Sequence, residues 1–177
     1  PELREDRGEV EAFQKDLRLL ELDDIRGDLH MHTSWSDGAE SVEEMVAFAH
    51  GLAYEYISIT DHSKYLRVAN GLNETRLRQQ WEEIDRVQEQ YPDIKIFKGI
   101  EMDILPDGTL DFEDDFLREL DLVIAAIHSS FDQTEEEIMH RLTTALENPY
   151  VDIIAHPTGR LIGRRDGYRV NMEILIE

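Results

Sequence analysis

Five short apolar runs set the strongest limit on what this chain can fold into. They lie at about residues 24–32, 56–60, 94–100, 122–127 and 151–155, and several are rich in β-branched residues. Unbroken apolar runs of this length suit strands covered on both faces. Their alternation with helical patterns signals βα units and a parallel sheet, open or closed. A histidine or a glutamate ends each run: His30 and His32, His62, Glu101, His128 and His156. In a βα barrel the carboxyl ends of the strands are where active sites are built, so the pattern implies one site fed by every strand.

Local signals fill in the helices. Ser41-Val42-Glu43-Glu44 and Thr134-Glu135-Glu136-Glu137 read as capping boxes. Val42, Met45, Val46 and Ala49 mark one helical face, which Gly51 stops. Leu77, Trp81, Ile84 and Val87 mark another, from about Asn73 to Gln90, with Pro92 closing it. Ile138, Leu142 and Leu146 give a third. A turn built on Asp107-Gly108 connects Ile104 to Leu110. Residues 1–24 form an acid-rich lead-in with Val10, Phe13, Leu17 and Leu20 at near-helical spacing.

Alternation along a strand sends His30 and His32 to the same face. Imidazole and carboxylate donors without sulfur suit zinc, manganese or iron; the chain has no cysteine, so thiolate sites and disulfides are excluded. Glu101 stands at a strand end between histidines on both sides and reads as a bridging ligand. Asp37 follows in the loop after the first strand. His50 and His140 fall inside helices and read as ordinary histidines. Ser34, Ser36, Ser129 and Ser130 read as turn or supporting residues, because nothing in the chain requires a serine nucleophile. Paired metals about 3.5–4 Å apart suit in-line displacement at phosphorus, so phosphoester hydrolysis is the chemistry such a site does best.

Charge restricts the partners. Eighteen basic residues face 40 acidic ones, a net charge of −22. That balance works against an unaided grip on nucleic acid phosphates, so weak DNA binding is expected of the chain alone. No membrane-spanning run or leader is evident, and the absence of cysteine suits a reducing, cytoplasmic setting.

The motifs His30-x-His32-x4-Asp37, Thr60-Asp61-His62, Gly99-Ile100-Glu101, His128 and Ala155-His156-Pro157 resemble, in order, those of the polymerase and histidinol phosphatase (PHP) superfamily. Residues 1–8, the loop from Asp61-His62-Ser63-Lys64 to Asn70-Gly71-Leu72, and His156-Pro157-Thr158-Gly159-Arg160 resemble more narrowly the carboxyl-terminal PHP domain of family X DNA polymerases. The resemblance implies an α/β fold, a distorted TIM-like (βα)7 barrel of which about five βα units are expected here. Residues 1–24 would be a linker from an upstream polymerase region and 25–177 the PHP domain.

The resemblance also implies a site of up to three divalent metals, manganese or zinc. His30, His32 and Glu101 would serve one, Glu101, His128 and His156 a second, and Asp37 and His62 a third. Lys64 and Arg160 stand beside ligands and become candidates for substrate phosphates. The implied activity is 3′-5′ exonuclease or 3′-end phosphodiesterase action on DNA through a full-length polymerase. The alternatives are a small-molecule phosphatase of the histidinol-phosphatase type and a structural, metal-bound polymerase domain. The family pattern closes with a further aspartate and histidine, which residues 171–177 do not supply. The expectation is therefore a PHP domain lacking its carboxyl-terminal part, with at most two well-occupied metals and little activity by itself.

Overall fold

Parallel strands form the frame, as the apolar runs imply. The computed structural model describes residues 20–176; most of the helical spacing expected in the lead-in lies outside the described residues. The strands are β1 (Gly27–Met31), β2 (Tyr56–Ile59), β3 (Lys95–Asp103), β4 (Leu122–Ala126) and β5 (Ile153–Ile154). They form one sheet in the order β1-β2-β3-β4-β5, with every neighbouring pair parallel. Between them run α1 (Val42–Gly51), α2 (Glu74–Gln90), the short α3 (Asp114–Leu117) and α4 (Glu135–Glu147), and α5 (Met172–Ile176) follows β5.

The sheet is curled into a half-barrel, and its pairing register shows how. β2 pairs with the first half of β3, from Tyr56↔Lys95 to Ile59↔Lys98, whereas β4 pairs with the second half, from Gly99↔Leu122 to Asp103↔Ala126. Such stagger is what a tilted, closing sheet requires. Gly99 sits at the changeover, where a Cβ would come within 2.4 Å of Ser58 Oγ and 2.8 Å of Thr60 Cγ2. The third strand extends beyond the expected Ile100, so Glu101 lies within it and not after it. β5 is shorter than its apolar run implies.

The main core lies between the sheet and the helices α1 and α2, where Val42, Val46, Leu77 and Ile84 meet Ile57, Ile59, Ile96 and Ile100. Each such side chain contributes roughly 1.5–3 kcal/mol on burial. Both capping boxes form: Ser41 Oγ accepts from Glu44 N at 3.3 Å, and Thr134 Oγ1 from Glu137 N at 3.3 Å. α4 packs Ile138, Leu142 and Ala145 against Ala125 and Ile127, while Leu146, expected on that face, is about half exposed. Among the described residues no helix is long and apolar enough to cross a membrane.

Candidate metal centre

Everything in the site converges on Glu101, which is almost wholly buried. Its Oε2 lies 3.3 Å from His30 Nε2, 3.3 Å from His32 Nε2 and 3.1 Å from His62 Nδ1. Its Oε1 lies 2.8 Å from His156 Nε2 and 3.2 Å from His128 Nε2. The curl makes this meeting feasible: in a flat sheet β1 and β5 would stand roughly 19 Å apart, yet the rings of His30 and His156 are 6.4 Å apart. Asp37 closes the β1 side, with Oδ1 3.2 Å from His32 Nδ1 and Oδ2 3.7 Å from His62 Nε2. All seven expected ligand positions thus share one place.

Local structure aims each donor. Between Asp28 and Met31 the register of β1 slips against β2 by one residue, a bulge of the kind that re-aims side chains beside sites. His30 and His32 both reach Glu101 Oε2, the shared face that strand alternation implies, with the bulge setting the position of this end of β1. His156 sits past β5 with a φ of +31°, an uncommon conformation for a residue with a side chain and one found where a site demands it.

Two carboxylates beneath the cluster were not singled out for any role in the sequence. Asp61, fully buried, accepts from Thr33 N at 2.8 Å, Thr33 Oγ1 at 2.7 Å, Ser36 N at 3.1 Å and Gln80 Nε2 at 2.6 Å, and also from the Ser36 hydroxyl. It fixes the loop between His32 and Asp37. Asp103, equally buried, faces His128 Nδ1 at 3.3 Å. A proton on Nδ1 turned to Asp103 leaves Nε2 with its lone pair toward the cluster, the arrangement that orients metal-binding imidazoles. The buried Arg141 donates to Ser129 O at 3.0 Å, to Gln133 Oε1 at 2.7 Å and to Ile104 O, pinning the loop after His128 to the end of β3. An Asp next to the histidine motif and an Asp two residues after Glu101 were the available signals, but sequence spacing alone does not separate them from ordinary strand-end acids.

The electrostatics fit a cation. Burial opposes the charge on Glu101, but hydrogen bonds with His128, His156, His30 and His32 outweigh it and hold the carboxyl well below the usual range. Burial likewise opposes a proton on His128, and hydrogen bonds to Asp103 and Glu101 overcome it, lifting the imidazole to about 9. His62 moves down, chiefly through burial, with the neighbouring His32 and His128 adding to the effect against the pull of Glu101. A carboxylate offers about four lone-pair sites, fewer than the five imidazoles around this one. Among the described residues the buried His32 Nδ1 and His62 Nδ1 make no well-directed hydrogen bond, although carboxylate oxygens of Asp37 and Glu101 lie 3.2 and 3.1 Å away. Among the described residues three donor sets are compact enough for an ion: His30, His32 and Glu101; His32, Asp37 and His62; and His62, Glu101 and His128. His32 thus joins Asp37 and His62, and His62 stands closer to the Glu101–His128 pair than the expected grouping implies.

The two candidate phosphate contacts differ. Lys64 Nζ is committed to Glu74 Oε1 at 2.5 Å and lies over the Phe112 ring. Arg160 lines a cavity beside His128 and His156.

Comparison with known proteins agrees with this fold. The chain is 58% identical over its whole length to the DNA polymerase/3′-5′ exonuclease PolX of Bacillus subtilis (strain 168), of which it spans 31%. It is 35% identical to a probable phosphatase of Acetivibrio thermocellus, over 73% of this chain and 53% of that protein. Among solved structures, the histidinol phosphate phosphatase HISK of Lactococcus lactis, complexed with zinc, L-histidinol and phosphate, superposes with a TM-score of 0.52 at 19% identity, covering 76% of this chain and 58% of the other. The chain therefore spans about a third to a half of the curated relatives it matches. The PHP domain profile matches residues 28–172, and the chain belongs to the PHP domain family.

Proposed function

We propose that the chain is the metal-dependent phosphoester hydrolase domain of a family X DNA polymerase, acting as a 3′-5′ exonuclease or 3′-end phosphodiesterase. The observation that carries this reading is the convergence of five imidazoles on the two oxygens of Glu101, more donors than one carboxylate satisfies without cations. The whole-length identity to a polymerase with exonuclease activity supports DNA over a small ester.

His30, His32 and Glu101 would hold one divalent ion, Glu101, His128 and His156 a second, and Asp37 with His62 a third, the least occupied; each imidazole then gives its one lone pair to one ion, and manganese and zinc both suit nitrogen and oxygen donors. Such ions supply Lewis acidity toward a phosphoryl oxygen and acidify water to near-neutral pKa. The chain's own part is to fix these donors: Asp103 holds the His128 tautomer and Asp61 holds the His32–Asp37 loop, while Arg160, lining the cavity beside His128 and His156, is the candidate contact for a substrate phosphate. A net charge of −22 leaves DNA capture to other parts of a full-length polymerase.

The test is release of nucleotides from a labelled 3′ end by the full-length protein with manganese, compared with hydrolysis of a phosphomonoester. Release from DNA, lost on His128→Ala, supports the reading. Phosphomonoester turnover with no release from DNA favours the histidinol-phosphatase alternative, and a loss of folding stability with no activity to lose favours a structural domain.

A further inference from the structure

The side of the site that carries His128 and His156 opens into a cavity of about 210 Å3 that the metal donors leave unexplained. Its remaining wall includes Phe131, Leu161, Arg160 and Arg165. This wall is built, not incidental. The Phe131 ring stacks on Tyr168 at 6.1 Å and an interplanar angle of 8°, and the Arg165 guanidinium lies 4.0 Å from the Phe131 ring centre. Arg165 also donates through Nε and Nη2 to Gly159 O, at 3.2 and 2.7 Å, which fixes the plane of the guanidinium. Gly159 makes the arrangement feasible: its φ is +57°, and a Cβ there would come within 2.4 Å of Tyr168 Cε1. Tyr168 in turn reaches back, its hydroxyl 3.4 Å from His156 O, so the wall and the ligand-bearing turn are one unit.

The chemistry of the cavity is that of a flat cation and apolar surface beside a phosphoester site. Guanidinium planes and aromatic rings are the surfaces on which unpaired bases stack. A phosphate alone would use the charge but leave Phe131 and Leu161 without purpose. The size decides how much of a ligand enters: pockets that enclose whole drug-sized ligands run from about 300 to 1,000 Å3, so this smaller cavity suits one planar base and not a whole nucleotide.

We propose that this cavity seats the base of the 3′-terminal nucleotide, with the Arg165 guanidinium as its stacking platform, which places the adjoining phosphate toward His128 and His156. The proposal rests on the phosphodiesterase reading and specifies how that site recognises a nucleotide. Arg165 is exposed but holds Gly159 O with two hydrogen bonds, so the thermal unfolding and manganese affinity of each variant are measured beside nucleotide binding, and a loss of nucleotide affinity that follows a loss of either one overturns the platform role.

The test is equilibrium binding, in the presence of manganese, of 2′-deoxyadenosine 5′-monophosphate and of inorganic phosphate to the unaltered chain and to Arg165→Ala and Arg165→Lys. The unaltered chain is expected to bind the nucleotide at least tenfold more tightly than phosphate. Both variants are expected to lose about tenfold in nucleotide affinity. Lysine keeps the charge but not the plane, so it should hold phosphate within twofold while failing to restore the nucleotide. Equal affinity for the two ligands in the unaltered chain would overturn the proposal. So would full rescue by lysine, which would make Arg165 a simple phosphate contact, or an unchanged nucleotide affinity in Arg165→Ala. Because binding is read apart from turnover, a base preference that survives a failure to release nucleotides from DNA would remove the exonuclease reading and keep the subsite.

Discussion

The two sides of Glu101 are built to different tolerances. Around Oε2, the donors from β1 and β2 rest on Asp61, whose carboxylate receives five hydrogen bonds from Thr33, Ser36 and Gln80. Around Oε1, His128 rests on Asp103, whose Oδ2 has no hydrogen-bond partner among the described residues, and His156 follows a β5 of two residues. The His62 side chain is 9% exposed, that of His156 43%. The saturated Asp61 carboxylate fixes the geometry of the His32–Asp37 loop, whereas a carboxylate with a spare oxygen leaves its neighbour freer to move. Asp61 therefore holds its loop more firmly than Asp103 holds His128, and the cavity lies on the less firmly held side, beside His128 and His156.

Substitutions can break this contrast. The largest effect is expected from Asp61→Asn, which turns an amide N–H toward donors that have lost their acceptor. With buried unpaired groups costing about 1–3 kcal/mol each, a loss of about 3 kcal/mol or more in unfolding free energy should appear in urea denaturation, a large share of the 5–15 kcal/mol typical of a domain. An unchanged midpoint would mean that the loop is held by other means.

Glu101→Gln comes next, because it removes the charge shared by both sides and replaces one of the two accepting oxygens with an N–H donor. Calorimetric titration with manganese or zinc should show affinity falling roughly a hundredfold or more, beyond the 10–100-fold expected of a supporting residue. Retention of tight binding on the β1 side would show that Asp37 and His62 suffice without it.

Asp103→Asn should separate the sides. Stability is expected to change by only about 1 kcal/mol, since one hydrogen bond is weakened, while metal affinity on the His128 side falls about 10–100-fold. A pH signature accompanies it. The raised His128 pKa, about 9 without metal, means that the imidazole is charged at neutral pH and must lose its proton to bind an ion. Metal uptake should therefore release a proton near pH 7.5, and affinity should climb as the pH rises toward 9. In the metal-free protein this group's contribution to stability is complete below about pH 6.5 and fades as the pH passes about 9. Calorimetry in two buffers of different ionisation enthalpy reads the proton release, which Asp103→Asn should diminish.

The smallest effect is expected at Lys64. Its partner Glu74 is about half exposed, and exposed pairs contribute at most about 1 kcal/mol. Lys64→Ala should leave stability within about 0.5 kcal/mol and phosphate affinity unchanged, in contrast to substitutions beside His156.

Much of this was legible in the sequence because it depends on short-range chemistry. Alternating apolar runs placed the strands, and Ser41 with Glu44 and Thr134 with Glu137 placed two helix starts, since a capping box is a purely local exchange of hydrogen bonds. The seven donors stood out because imidazoles at successive strand ends have few other uses. Asp61 and Asp103 did not, because their roles arise from partners 19 to 28 residues away, a relation that no local spacing expresses. The Phe131–Tyr168–Arg165 wall was hidden for the same reason. Leu146 carried a helical period but faces outward, because α4 turns only part of its apolar stripe to the sheet.

The distance along the chain between His30 and His156 has a kinetic consequence. The cluster joins the first and last strands of the sheet, so it is among the most non-local features of the molecule, and closing such long loops comes late in folding. Interactions absent from the transition state slow unfolding and leave the folding rate nearly untouched. Divalent ions should therefore act as a latch, lengthening the lifetime of the folded chain while leaving the speed at which it forms almost unchanged.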